Sequence, residues 1–188
     1  MILAVACTPV VSETNNRYQL TEAQQMKPST HQHGSILIMR PVALEGYDTQ
    51  QMLYVNQPYQ VSAFANNSWM SPPATMLLPL ILRSIESTHY FSAVTSDLNT
   101  TKTDYRLEST LIRFQQNFLL KPSHLQIAMQ IVLVRSMDSQ VMATATLYED
   151  IPCPKDTPLG GVMAANQATK DLTAKIARFV VKQVKKAQ

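Results

Sequence analysis

The chain has 188 residues, of which 45% are hydrophobic and 15% charged, and carries a formal net charge of +3. That length and apolar content support one buried core and exclude a disordered chain, and two cysteines cannot build a disulfide scaffold. Beyond the N-terminus, no apolar run approaches the ~20 residues that a membrane-spanning helix requires.

The first element in chain order is Leu3-Ala4-Val5-Ala6-Cys7, an apolar run and a small residue ahead of a cysteine. It has the form of the end of a bacterial lipoprotein signal, in which a peptidase cuts before the cysteine and acyl chains are attached to it. Only six residues precede Cys7, against about 7–15 for a full apolar region. Residues 1–6 therefore read as the remainder of a signal, Cys7 as the acylated residue and 7–17 as a lipidated tether. An incidental cysteine is the plain alternative; a Cys7–Cys153 disulfide is another and would exclude acylation. Thr8 follows the cysteine where Asp would mark inner-membrane retention, so the outer membrane is expected.

A single domain is expected over 18–188. Tyr18-Gln19-Leu20 begins a strand, and the polar, Gln-rich stretch 21–33 reads as a loop. The apolar run 35–42, closed by Pro41-Val42, suits a strand buried on both faces. Residues 52–55 and 59–64 form a hairpin turning at Asn56-Gln57-Pro58. Trp69 then stands before Ser71-Pro72-Pro73, where Ser71 serves as N-cap and Pro72 as first helical residue. The helix runs to about 87 with Leu77, Leu80, Ile81 and Ile85 on one stripe, Met76 beside it and Pro79 inside.

Three long extended segments follow. Residues 103–118 change parity between Leu107 and Ile112, which places a bulge near Ser109-Thr110. Residues 124–135 alternate, with Leu125, Ile127, Met129, Ile131 and Leu133 on the buried face. Residues 140–148 put Val141, Ala143, Ala145 and Leu147 on one face, joined by the short link 136–139. After a loop over 150–161, a helix from about 162 to 186 carries Ala164, Ala168, Leu172, Ile176, Phe179 and Val180 on one stripe. The expected architecture is α+β, a mostly antiparallel sheet with two amphipathic helices on one face.

Chemistry-bearing motifs are sparse. Four glycines, Gly34, Gly46, Gly160 and Gly161, form no phosphate loop, dinucleotide fingerprint or nucleophile elbow. His31 and His33 lack a nearby carboxylate or thiolate to complete a metal site. His124 falls on the wet parity of its strand and His89 at a helix end. Asp97, Asp104 and Glu108 are scattered, with no spacing that demands acid–base work. No cofactor, metal or catalytic residue is expected, and no nucleic acid, since aromatics do not interleave with the basic residues. From Lys170 onward six basic residues face one acid, Asp171; such a helix end is a solvated face or meets phosphates or an anionic membrane. Trp69 is a core anchor or, with Met70 and Pro72, a partner-facing corner.

The order of these features resembles the ABC-type transport auxiliary lipoprotein family. It rests on the lipobox, Tyr18-Gln19-Leu20, the apolar strand ending at Pro41, the hairpin from Met52 to Phe64, and Asn67-Ser68-Trp69 leading through prolines into a Leu-rich helix. Three long strands and an Ala-rich helix with Ile176-Ala177-Arg178-Phe179 complete it. The resemblance implies a periplasmic domain similar in fold to the N-terminal domain of TolB. It implies a non-enzymatic accessory of a transporter that moves lipids between two membranes, docking an MCE-domain protein at the periplasmic face of the outer membrane. It also implies homo-oligomeric rings. The rival reading is a stand-alone periplasmic lipid- or small-molecule-binding lipoprotein, with its cavity between sheet and helices.

Overall fold

The structure, a computed structural model, describes residues 15–30, 32–97 and 102–187. Strands β1 (Asn16–Tyr18), β2 (Ser35–Ile38), β3 (Val42–Ala43), β4 (Gln51–Gln57) and β5 (Gln60–Trp69) precede helix α1 (Pro73–Glu86). Then come β6 (Ala93–Thr95), β7 (Tyr105–Asn117), β8 (His124–Arg135), β9 (Gln140–Pro152) and helix α2 (Pro158–Lys186).

The backbone of the sheet is the antiparallel ladder β7–β8–β9. Along its other edge β7 takes three parallel partners in turn: β2 at its start, β3 at its middle and β4 at its end. β2 passes pairing on to β6, while β4 passes it to β5 and β5 to β1. The α+β architecture is the expected one, and the sheet is mixed. Long antiparallel strands carry most of the paired residues, whereas the short strands join in parallel. Parallel neighbours need a crossover, and α1 supplies one by carrying the chain from β5 to β6.

Alternation explains β8, whose odd residues from Leu125 to Leu133 enter the core. In β7 the parity change is real but lies further on: Ile112 is passed over between the Leu111–Met129 and Arg113–Ala128 pairs. That bulge keeps both Leu111 and Phe114 in the core. A second bulge at Met142 of β9 reverses one expectation, since Met142 packs on the core and Val141 is exposed. β2 also differs from the doubly buried strand expected. Ile36 and Ile38 are fully buried, but Leu37 is only half-buried, because helices cover one face of the sheet alone.

Both helices begin at proline. α1 starts one residue later than expected: Pro72 is the N-cap, with no side-chain bond, and its carbonyl accepts from Thr75 and Met76. Pro79 sits on the exposed side, where its missing hydrogen bond is least harmful. α2 starts four residues earlier than expected, because Thr157 caps it by accepting from the Gly160 N–H and Pro158 takes the first position. Gly160 and Gly161 thus belong to the first turn rather than to a loop. Added Cβ atoms there would strike the Lys155 carbonyl oxygen and Gln116 Oε1.

One continuous core joins the two helices and one face of the sheet. The polar 19–33 stretch is strapped across it: Thr21 N–H donates to Asn166 Oδ1 (2.8 Å), Met26 N–H to Ser87 Oγ (2.9 Å) and His33 N–H to the Tyr90 carbonyl (2.6 Å). Glu149, on the core-facing parity of β9, is buried under α2 and paired with Lys175 Nζ at 2.8 Å, as a buried carboxylate requires. Among the described residues, no helix is long and apolar enough to cross a membrane.

Candidate functional site

The Trp69 corner is built where β5 hands over to α1. Tyr18 pairs with Trp69, the Trp69 N–H donates to the Gln50 carbonyl and the Met70 N–H to the Tyr18 carbonyl, both at 2.7 Å. These bonds fix the chain so that Trp69 turns inward and Met70 outward. Trp69 is 3% exposed and stands edge-on to Phe114, with ring centroids 5.4 Å apart. Met70 is 54% exposed and Pro72 is half-buried. The surface of this corner is therefore Met70 and Pro72, with Trp69 as the core anchor beneath them; an indole this buried cannot meet a partner without rearrangement. Cys7 and His31 lie outside the described residues.

The hairpin end carries a second apolar group. Tyr54 stacks obliquely on Phe64 at 4.5 Å, and Phe118 stands edge-on to both. The turn is Pro58-Tyr59 rather than residues 56–58. Tyr59 takes a φ of 66°, as position i+2 of a type II turn demands, and its ring is fully exposed. Leu119 and Leu120 are exposed at the adjacent β7–β8 turn.

Among the described residues, no helix covers the even face of β8. There His124 Nδ1 lies 2.6 Å from Asp150 Oδ1, and Gln126 Nε2 donates to Asp150 Oδ2 at 3.2 Å. Tyr148, across from Ala128, is exposed beside them. Sequence alternation marks His124 as wet but gives Tyr148 no role; its even position in β9, opposite Ala128, is the signal that places it on this face.

The buried polar groups hold structure together rather than forming a reactive set. Gln116 Nε2 donates to Ser123 Oγ at 2.9 Å, and Asp156 Oδ1 accepts from the Ser123 N–H at 2.6 Å. Cys153 beside them is a free thiol, and burial pushes its pKa up, which keeps it protonated and unreactive at neutral pH. Among the described residues, no three of His, Cys, Asp or Glu gather as a metal site would require. The cavity beside Trp69, between sheet and helices, is ≈ 10 Å³, about one water at most.

A family model described as ABC-type transport auxiliary lipoprotein component matches residues 18–177. Among solved structures, protein XCC0632 of Xanthomonas campestris, of the DUF330 family, superposes with a TM-score of 0.81 at 19% identity, covering 92% of this chain and 98% of its own. An uncharacterized protein gives 0.71 at 17% identity over 89% and 99%. CT253 of Chlamydia trachomatis gives 0.52 at 6% identity over 77% and 95%. At these identities the likenesses establish the fold. Among curated proteins, none matches the sequence.

Proposed function

Because the chain belongs to the ABC-type transport auxiliary lipoprotein family, we propose that it is the non-enzymatic, lipid-anchored accessory subunit of an MCE/ABC-type intermembrane lipid transport system. The observation that carries this is the family match over residues 18–177, which runs from the end of β1 through β9 and α1 into the greater part of α2. In this reading acyl chains on Cys7 hold the domain at the periplasmic face of the outer membrane, and the folded domain docks the MCE-domain conduit as a homo-oligomer. Several acyl chains, at ~0.8 kcal/mol per buried methylene, anchor permanently where one alone does not.

The geometry supports a division of labour. β1 enters the sheet beside Trp69, so Asn16 and the Met70–Pro72 corner lie together. The residues between Cys7 and Asn16 span about 30 Å when fully extended, which keeps that corner near the membrane. The hairpin tip with Tyr59 and the uncovered face with His124 and Tyr148 are left for protein contacts. A rival reading, a stand-alone carrier with ligand between sheet and helices, has little room in the cavity beside Trp69, which measures ≈ 10 Å³ among the described residues.

The test is co-purification of the full chain with an MCE-domain protein and an ABC ATPase from the same organism, with Tyr148→Ala and Tyr59→Ala as probes, both at exposed side chains. Retention of both partners is expected. The substitutions should weaken it by about tenfold or more if either residue is an anchor. Failure of any MCE-domain protein to bind the intact chain overturns the docking role.

A further inference from the structure

The basic end of α2 faces more than water. Arg178, Val181, Lys182 and Lys185 form one side of an open groove of ≈ 530 Å³, opposite Met26 and Lys27 of the strapped segment. That volume lies in the ordinary range of small-ligand sites. Among the described residues, no acidic residue lines the groove and none of the cations Lys27, Arg178, Lys182 and Lys185 has an ion-pair partner. Met26 and Val181 are partly buried and supply an apolar surface between the charges.

Tyr90 lines the same groove and is 1% exposed. His33 stacks on its ring at 4.7 Å, and Lys185 Nζ lies 5.4 Å from the ring centroid. Its hydroxyl has no hydrogen-bonding partner among the described residues. Nearly all buried hydroxyls in folded proteins are paired, so an orphan beneath flexible lysines points to a partner that arrives from outside. Burial pushes the Tyr90 phenol up from its ordinary pKa, which keeps it a donor at neutral pH.

We propose that this groove binds an anionic amphiphile, specifically the head of a negatively charged phospholipid. The phosphate meets Arg178, Lys182, Lys185 and the Tyr90 hydroxyl, and the first methylenes lie along Met26 and Val181. An amphiphile is favoured over a bare anion because apolar side chains interrupt the cations. The site needs no transporter subunit, so it stands or falls separately from the docking role.

Calorimetric titration of the full chain distinguishes the sources of this chemistry. The probes are monomeric dihexanoylphosphatidylglycerol, dihexanoylphosphatidylcholine and inorganic phosphate, with phosphatidylcholine vesicles containing phosphatidylglycerol as a fourth arm. Saturable binding of the anionic monomer is expected, with the zwitterionic lipid and free phosphate each weaker by about tenfold or more. The double substitution Lys182→Glu, Lys185→Glu should abolish binding. Tyr90→Phe should weaken it by about tenfold while leaving the melting temperature unchanged or higher, since it removes an unpaired buried hydroxyl. Absence of monomer binding, including a case where only vesicles bind, overturns the proposal. So does equal affinity for phosphate or the zwitterionic lipid, or undiminished affinity in either variant.

Discussion

Trp69 and Met70 are adjacent in sequence and opposite in environment, and their variants should separate accordingly. Trp69→Ala removes the ring that packs on Phe114 and should cost ~3–5 kcal/mol in denaturant unfolding. Met70→Ala should stay within about 0.5 kcal/mol of the parent, as exposed positions generally do. A Trp69→Ala protein with an unchanged unfolding midpoint would contradict this assignment. The sequence could not decide between the two faces, because β5 meets β4 with two register shifts, which break a simple count of parity from the hairpin to the tryptophan. Asp104 gives a second residue-scale prediction. The Ser35 hydroxyl and N–H both donate to its Oδ2, at 2.8 and 2.7 Å, and hold the carboxyl below its ordinary range. A lowered native pKa stabilises the fold above the unfolded value of about 3.9 and ceases to do so as pH falls through the native value. Asp104→Asn should therefore lose less stability than the parent between about pH 5 and pH 2. Equal acid sensitivity of the two proteins in pH-dependent melts would refute it.

At the scale of elements, the first turn of α2 inverts a general rule. Replacing an interior helical glycine by alanine normally helps, by up to about 1 kcal/mol. At Gly160 the new Cβ would collide with the Lys155 backbone, so Gly160→Ala should instead destabilise by about 1–3 kcal/mol. Thermal unfolding measures this, and a raised melting temperature would show that the chain before α2 yields freely. The same turn shows what the sequence made legible and what it hid. β8 can be read to its ends, because one face is apolar without a break, the other carries His124, Gln126 and Gln130, and no bulge falls within the strand. The sequence puts the start of α2 four residues late because glycine pairs ordinarily signal loops, whereas here they permit close contact with Lys155 and Gln116. The run over 35–42 gives no sign of its break into β2 and β3, and β6 has no sequence signal, because β3 and β6 are two and three residues long and owe their pairing to parallel partners remote in sequence. Of the surfaces, His124 was visible from alternation alone. The groove over Tyr90 was visible only as an excess of charge near the C-terminus, since Met26 and Tyr90 reach it from distant parts of the chain.

For the whole molecule, membrane attachment is the expectation that reaches furthest. Cys7→Ser should shift the protein from the membrane to the soluble periplasmic fraction, and mass spectrometry of the parent should find acyl chains on a chain that begins at Cys7. An unmodified N-terminus would refute the anchor. The strap over 19–26 has a consequence of a different kind. Its residues 19–24 bond to Asn166 and Thr173, in the last element to be synthesised, and β1 waits on β5. A chain delivered N-terminus first thus emerges with its opening residues unable to settle until its closing residues arrive. Such non-local pairing is slow to form, and the half-delivered chain exposes the greasy face of β8 with nothing to cover it. Ribosome- or translocon-stalled fragments that stop before Pro158 should accordingly be digested by protease, while the finished chain resists.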